Sequence, residues 1–554
     1  MSIEDYNGLS TKDILFVVGA GISKPYPSNI PLGNELTKYI LDISCGEKSS
    51  DKILEIWNGF SKEIKQFDNY LDFPLPRLET ILGCISEMDL IMGRQSILTG
   101  LHSWKNIPCN NNHSILADFV KTGASIFTTN FDLGLEVAYE SKYESMDCEY
   151  LGEVSAFSST DSGKIYHLHG CARDDVQRLG ATMRKVKSGF DKDTETTLKE
   201  IIFRSKLIVF LGYSVSDSFD ITPLFEKTIS NKMLFVQHKN ADWENKVTYP
   251  SNLYKFFSNC INPQKIKADT TSLLMELSNT ILGSTAKYYQ EKRNSFEWKE
   301  EFDKCLSSKY NFDDKILNLL CLRYHLGIAT DAFKCIDPYI VNTIKSVYSH
   351  MDVKHARIDE YYEKAIRSFT NITSTEFKKP RDFDYSKVVK FVDKNYLILL
   401  RDECEYFIDK YSDLERAISL ADSEEISGLI KILKIYSGYS YKDVQYISYI
   451  SACLKYLSAL SARTNDMFSL EYAKRELMIS IDIAYIEGTI AALVHMAEHK
   501  IINDYITSTK NIDDIKKALN TAYNLAGISG YNYHKVRIKQ LIDKYSLQNY
   551  FDYE

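Results

Sequence analysis

Five short apolar runs constrain this chain more than any other feature. They lie at 14–18, 125–128, 164–168, 207–211 and 233–237, and those at 14–18 and 207–211 are rich in branched residues. Runs this brief suit buried strands better than helices. Between them are stretches with apolar residues at helical spacing, at 34–43, 77–101, 113–121 and 193–203. Strands alternating with helices predict an α/β domain, a Rossmann-like parallel sheet with helices on both faces. The intervals are long enough for the crossovers that parallel strands require.

Past about residue 285 the pattern changes. Glycine and proline become rare, and apolar residues recur at helical spacing. Leu414, Ala417, Ile418, Leu420 and Ala421 form one example, Ala452, Leu454, Leu457 and Leu460 another, and the run from 470 to 501 continues it. This predicts an all-α C-terminal domain of helical hairpins, without a clean repeat of fixed period. The expected division is therefore residues 1–285 and 286–554, with the linker within 277–295.

Composition narrows the functional classes. A formal net charge of −8 and a pI of about 5.9 give no electrostatic reason to expect direct nucleic-acid binding or an anionic membrane. No window approaches the length of apolar sequence that spans a bilayer. The acidic start, Met1-Ser2-Ile3-Glu4-Asp5, does not read as a signal peptide. The 11 cysteines are scattered singly with no Cys-x-x-Cys pair, the pattern of reduced structural thiols in a cytoplasmic protein. The 38 tyrosines fit either biased gene composition or interface-forming aromatics.

Chemistry concentrates where the apolar runs end. The first is followed by Gly19-Ala20-Gly21-Ile22-Ser23, a turn that can bring backbone amides and a helix N-terminus to a phosphate. The dehydrogenase fingerprint fails because Lys24 holds its last glycine position, which disfavours ordinary hydride transfer. Three further clusters follow strands: Thr128-Thr129-Asn130-Phe131-Asp132, His167-Leu168-His169-Gly170 and Gly212-Tyr213-Ser214-x-x-Asp217. In an open α/β sheet the ligand crevice lies at the strand C-terminal ends, so all four clusters are expected there. Each has a structural alternative. Asn130 could cap a turn, His169 could be a satisfied core histidine, and Asp217 could anchor its own loop. His167 is expected to be structural, and His102 and His113 to be helix residues without a role.

In its order of Gly-Ala-Gly-x-Ser, Thr-x-Asn-x-Asp, His-Gly and Gly-x-Ser, this set resembles the sirtuin family over about residues 10 to 240. It looks closest to the sirtuin-like NAD hydrolases of bacterial anti-phage defence. The resemblance implies that NAD is the substrate, with Gly19, Ala20, Gly21 and Ser23 on its pyrophosphate and Pro31 and Thr129 lining the site. It places Asn130 and Asp132 beside the nicotinamide ribose, makes His169 the general base, and sets Gly212, Ser214 and Asp217 near the adenosine end. The residue types fit the chemistry. Cleaving a sugar from a cationic pyridinium releases a neutral leaving group, so the reaction needs a fixed carbonyl or carboxylate, a base near neutrality and a dry pocket.

Two departures shape the expected activity. Between Gly170 and Leu207 the chain has only Cys171, so the four-cysteine zinc module of protein-deacylating sirtuins is not expected, nor any other metal. After Ser23, Asn29-Ile30-Pro31-Leu32 lacks the glycine and the Phe-Arg pair typical of deacylases, so the loop over the ribose must be built differently. Water becomes the expected acceptor, giving nicotinamide and ADP-ribose, with a cyclic product also open. The resemblance further implies activation on phage infection as an abortive-infection effector. It also implies partners for the helical half: a homo-oligomer, a separate sensor or nucleotide-processing subunit, or both. The rival readings are a non-catalytic NAD or ADP-ribose sensor, a protein deacylase or ADP-ribosyltransferase, and a scaffold with a decayed front domain. Retained Asn130 and His169 argue against the sensor, and the missing cysteines against the deacylase.

Overall fold

The computed structural model describes residues 6–143, 163–214, 221–225, 232–238, 264–283, 295–333 and 469–551, less short interruptions within them. Six strands form one parallel sheet: β1 (Ile14–Val18), β2 (Ser125–Thr128), β3 (Ile165–His167), β4 (Leu207–Leu211), β5 (Lys232–His238) and β6 (Gln264–Ala268), in the order β3-β2-β1-β4-β5-β6. Val18 pairs with Thr128 on one side and Leu211 on the other, and Thr128 pairs with His167. The ends of β1, β2, β3 and β4 are therefore level. The strand order reverses between β1 and β4, and in such sheets that point opens the ligand crevice.

Both faces of the sheet are covered. α1 (Gly33–Cys45), α2 (Glu47–Phe67), α3 (Leu78–Ile91), α4 (Asn111–Lys121), α5 (Gly134–Tyr143), α6 (Lys192–Arg204) and α7 (Thr270–Leu282) precede α8 (Trp298–Cys305). Phe16, Val18, Ile126 and Val209 pack on Leu116 and Phe119 of α4, Leu135 of α5 and Leu274 of α7. Leu15, Val17, Phe127, Ile208 and Phe210 project to the other side, onto Leu198, Ile201 and Ile202 of α6. Alternate residues of each strand thus serve opposite cores, which is why β1 and β4 are apolar throughout.

The expected strands match the observed ones closely, but β6 was not foreseen. Its exposure alternates, and Lys265 and Lys267 occupy the more exposed positions, as befits an edge strand. The helix expected over 77–101 divides instead. α3 ends at Ile91, Gly93 takes a left-handed φ of 65°, and a 3₁₀ helix runs from Ile97 to Asn106.

Chain contacts group residues 1–39 with 78–309, and residues 40–77 with 310–554. Residues 295–305 lie in the sheet unit: Phe296 N–H donates to Pro27 O, and the Phe302 ring sits where a side chain on Gly100 would clash. The helices of 40–77, by contrast, group with the second unit.

In that second unit α9 (Ser469–Asp482), α10 (Ile486–Thr507), α11 (Ile512–Ser529) and α12 (Asn532–Lys544) follow one another through short connections. α10 is buried on every side from Ile490 to Ala497, as a central helix must be. α11 shows one apolar stripe, Ile515, Ala518, Leu519, Ala522, Leu525 and Ala526. Ile528 at its end meets Gly59 of α2, whose own stripe is Ile53, Ile56, Trp57, Phe60 and Ile64. The helical patterns expected over 414–460 lie outside the described residues.

Candidate functional site

Two glycine turns meet at the switch point. Gly19 N–H donates to Leu211 O at 3.1 Å, and Gly21 N–H to Gly212 O at 3.0 Å. A Cβ on Gly21 would lie 2.6 Å from Gly212 Cα, and one on Gly212, whose φ is +57°, 2.7 Å from Gly21 Cα. Only glycine permits this backbone contact. The turn also closes on itself, with Ile22 N–H to Gly19 O and Ser23 N–H to Ala20 O, both at 3.1 Å. Of the residues expected on the pyrophosphate, the amides of Gly19, Gly21 and Ser23 are therefore engaged within the protein, as is that of Ile22. The Ala20 amide, on a partly exposed residue, is given no acceptor among the described residues.

Ser23 is expected on the same phosphates, yet the structure places its hydroxyl inward. Ser23 is fully buried, and its Oγ lies 2.9 Å from His113 Nε2, 3.2 Å from Asn130 Nδ2 and 2.8 Å from Asp132 Oδ2. Asn130 and Asp132 both follow β2. The Asn130 amide N–H donates to Thr128 Oγ1 at 3.1 Å, and Asp132 Oδ1 accepts from Gly134 N–H at 3.0 Å, where α5 begins. The capping role raised for Asn130 falls to Asp132 instead: one oxygen starts a helix and the other holds Ser23. Asn130 differs. Its Nδ2 donates to Gly19 O and to Ser23 Oγ, each at 3.2 Å. A carbonyl oxygen only accepts, so the amide nitrogen must face Gly19, and Oδ1 is the group left without a protein partner among the described residues.

His113 was missed by the sequence reading. It is a helix residue, as expected, at the third position of α4, where its ring completes a capping box. Nδ1 accepts from Asn110 N–H and Asn110 Oδ1 accepts from His113 N–H, both at 3.2 Å. Asn110 and Asn112 also donate to Ile22 O at 2.9 and 3.1 Å, so the start of α4 grips the glycine turn. Burial pushes the His113 imidazole below its ordinary pKa, against the opposing pull of Asp132 and Glu136. A serine, a histidine and a carboxylate in contact invite a nucleophilic reading, but the hydrogen bonds oppose it. Nδ1 accepts a backbone N–H, so the ring proton is on Nε2 and points at Ser23, and the imidazole cannot act as the base for that hydroxyl.

His167 is structural, as expected of its place on β3. Its ring lies 3.1 Å from Asn130 O through Nδ1 and 2.5 Å from Glu136 Oε1 of α5 through Nε2, all fully or nearly buried. Burial alone would lower its pKa. The Glu136 carboxylate and the Asn130 carbonyl outweigh that and raise it. His167 and Glu136 so clamp the segment that carries Asn130 and Asp132.

His169 follows on the tip beside that of β2, where Leu168 N–H donates to Thr128 O at 2.8 Å. It is buried, its carbonyl accepts Gly180 N–H at 2.8 Å, and Gly180 lies so near that a Cβ there would be 3.0 Å from His169 Cα. Gly170 turns the chain away with φ +77°. Cys171 is buried and its thiol is pushed up to about 12, first by that burial, which makes it inert.

Thr129 N–H bonds Val18 O at 3.2 Å, Pro31 is buried, and Ser214 is exposed just past β4. The loop between Ser23 and Pro31 is held by Ile30 N–H to Ser23 O and by Ser28 Oγ to Pro108 O. Asp217 lies outside the described residues. Among the described residues no group of three or more His, Cys, Asp or Glu could hold a metal ion. No described helix is long and apolar enough to cross a membrane.

Fold and site together define a doubly wound α/β domain with a cluster of polar side chains at its switch point. Residues 124–244 match the SIR2-like domain family, a domain that takes NAD as its substrate. The matched stretch includes Asn130, Asp132, His169 and Gly212 but not the first glycine turn. No curated protein matches the chain.

Proposed function

We propose that this chain hydrolyses NAD to nicotinamide and ADP-ribose. The observation that carries the reading is the Asn130 amide, whose nitrogen is spent on Gly19 and Ser23 and whose Oδ1 is left as an acceptor at the switch point. Binding a dinucleotide requires no such oriented amide, whereas aligning a ribose hydroxyl or a water does. In this reading the bond from ribose C1′ to the pyridinium nitrogen breaks first, and its electron pair leaves with neutral nicotinamide. Water then bonds to C1′ and gives its proton to His169. The negative charge of Asp132 supports the cationic sugar at short range. The SIR2-like match, the β1/β4 switch point and the adjacent tips of β2 and β3 all support the assignment.

An unrestrained activity of this kind would empty its own cell of NAD, so control is part of the proposal. The helical unit is the candidate for oligomerisation or for docking a sensor subunit, and phage infection is the proposed trigger. Purified protein incubated with NAD, with and without infected-cell lysate, tests the reading. Nicotinamide should appear, and Asn130→Ala or His169→Ala should abolish it, a loss on the order of 10²-fold or more, while both variants stay folded. Unchanged turnover in both would remove the site assignment. Tight NAD binding without nicotinamide release in either condition would favour a sensor.

A further inference from the structure

We infer that His113 is a positioning residue for this site: the Nε2–H it gives to Ser23 fixes the direction of a proton chain that holds the Asp132 carboxylate in place beside Asn130. The inference rests on the hydrolase reading for its consequence, but its geometry stands alone. The chain starts at a backbone amide, which can only donate: Asn110 N–H meets His113 Nδ1 at 3.2 Å. The ring proton is then on Nε2, 2.9 Å from Ser23 Oγ. Ser23 Oγ also receives Asn130 Nδ2–H at 3.2 Å. With both lone pairs filled, the hydroxyl hydrogen has one destination, Asp132 Oδ2 at 2.8 Å. The remaining oxygen of Asp132 takes Gly134 N–H.

Reversing one member reverses the rest. With the proton on Nδ1, Nε2 would take the hydrogen of Ser23, and Asp132 would lose its buried donor. Ser23 would have a lone pair to spare and Asn130 would stay held by Gly19 O, so the member released is Asp132 Oδ2. The protein holds the ring in place on its other side too. Gly134 packs so closely that a Cβ there would be 2.4 Å from His113 Cε1. A histidine that served only to cap α4 would need neither the serine nor the glycine.

Two substitutions separate capping from proton direction. In His113→Gln the side-chain oxygen can accept Asn110 N–H and the nitrogen can donate to Ser23. His113→Glu caps equally well but has no proton to give. We expect His113→Gln to keep nicotinamide release near that of the unaltered protein, and His113→Glu to lower kcat on the order of a hundredfold with little change in KM. Thermal melting of both variants reports folding. Should His113→Glu not fold, nitrogen-15 NMR of the unaltered protein decides, with the Nε2–H tautomer expected. A proton on Nδ1 overturns the inference, as does equal activity, or equal loss, in two folded variants. If the unaltered protein never releases nicotinamide, the hydrolase reading fails, and the tautomer still decides the proton chain.

Discussion

At the tips of β1, β2 and β4 the Ser23 hydroxyl is wholly buried and has three partners. Glu476 of α9 is as deeply buried, yet only one of its oxygens is paired, with His495 Nδ1 at 3.0 Å. Its Oε1 and the Oγ of Ser480, one turn on, have no hydrogen-bond partner among the described residues. The contrast extends to backbones. A Cβ on Gly21 would meet the Gly212 backbone, whereas one on Gly59 in α2 would meet the methyl ends of Ile528 at 3.2 Å. A saturated network held by backbone has no alternative arrangement of similar energy, and a loosely satisfied helical packing has several. The first suits a site that must hold one amide in one orientation.

The widest test of this contrast is the same substitution in both places. Gly21→Ala should lower stability by about 3 kcal/mol or more, because backbone must move, and should end nicotinamide release. A urea-unfolding midpoint near that of the unaltered protein would break the comparison. Next in size is the His167–Glu136 clamp. The raised pKa of His167 contributes stability that is fully present below its unfolded value of about 6.5 and is lost as pH rises through the folded value. Glu136→Gln should therefore cost about 2 kcal/mol at pH 6 and progressively less toward pH 9. A cost that stays constant with pH would mean that the pair is not ionic. Smallest is Gly59→Ala. The gain in helix propensity, about 1 kcal/mol, offsets the small retreat of Ile528, so the melting midpoint should hardly move. A loss as large as that of Gly21→Ala would show that the second unit is equally tight.

Much of the site was legible because strands announce themselves locally. β1 and β4 are continuous apolar runs, and the polar clusters that follow them had to lie on one edge once the sheet was read as parallel. β6 was illegible for the opposite reason: an edge strand carrying Lys265 and Lys267 buries too little to leave a pattern. His113 could have been suspected from Asn110 three positions earlier, the spacing of a capping box. Its meeting with Ser23, 90 positions away, leaves no trace in local sequence.

The sequence by itself determined the alternation of strand and helix, the glycines that permit close backbone approach, and the asparagine and histidines at strand ends. These follow from burial and backbone freedom, which act within a few residues. Tertiary structure alone decided that the glycine-turn amides are mostly spent inward, that Ser23 is a hub between α4 and β2, and that the Asn130 oxygen is the group left open. The physical reason is that hydrogen-bond direction depends on every donor and acceptor around a buried atom, and here those come from four separate segments of the chain.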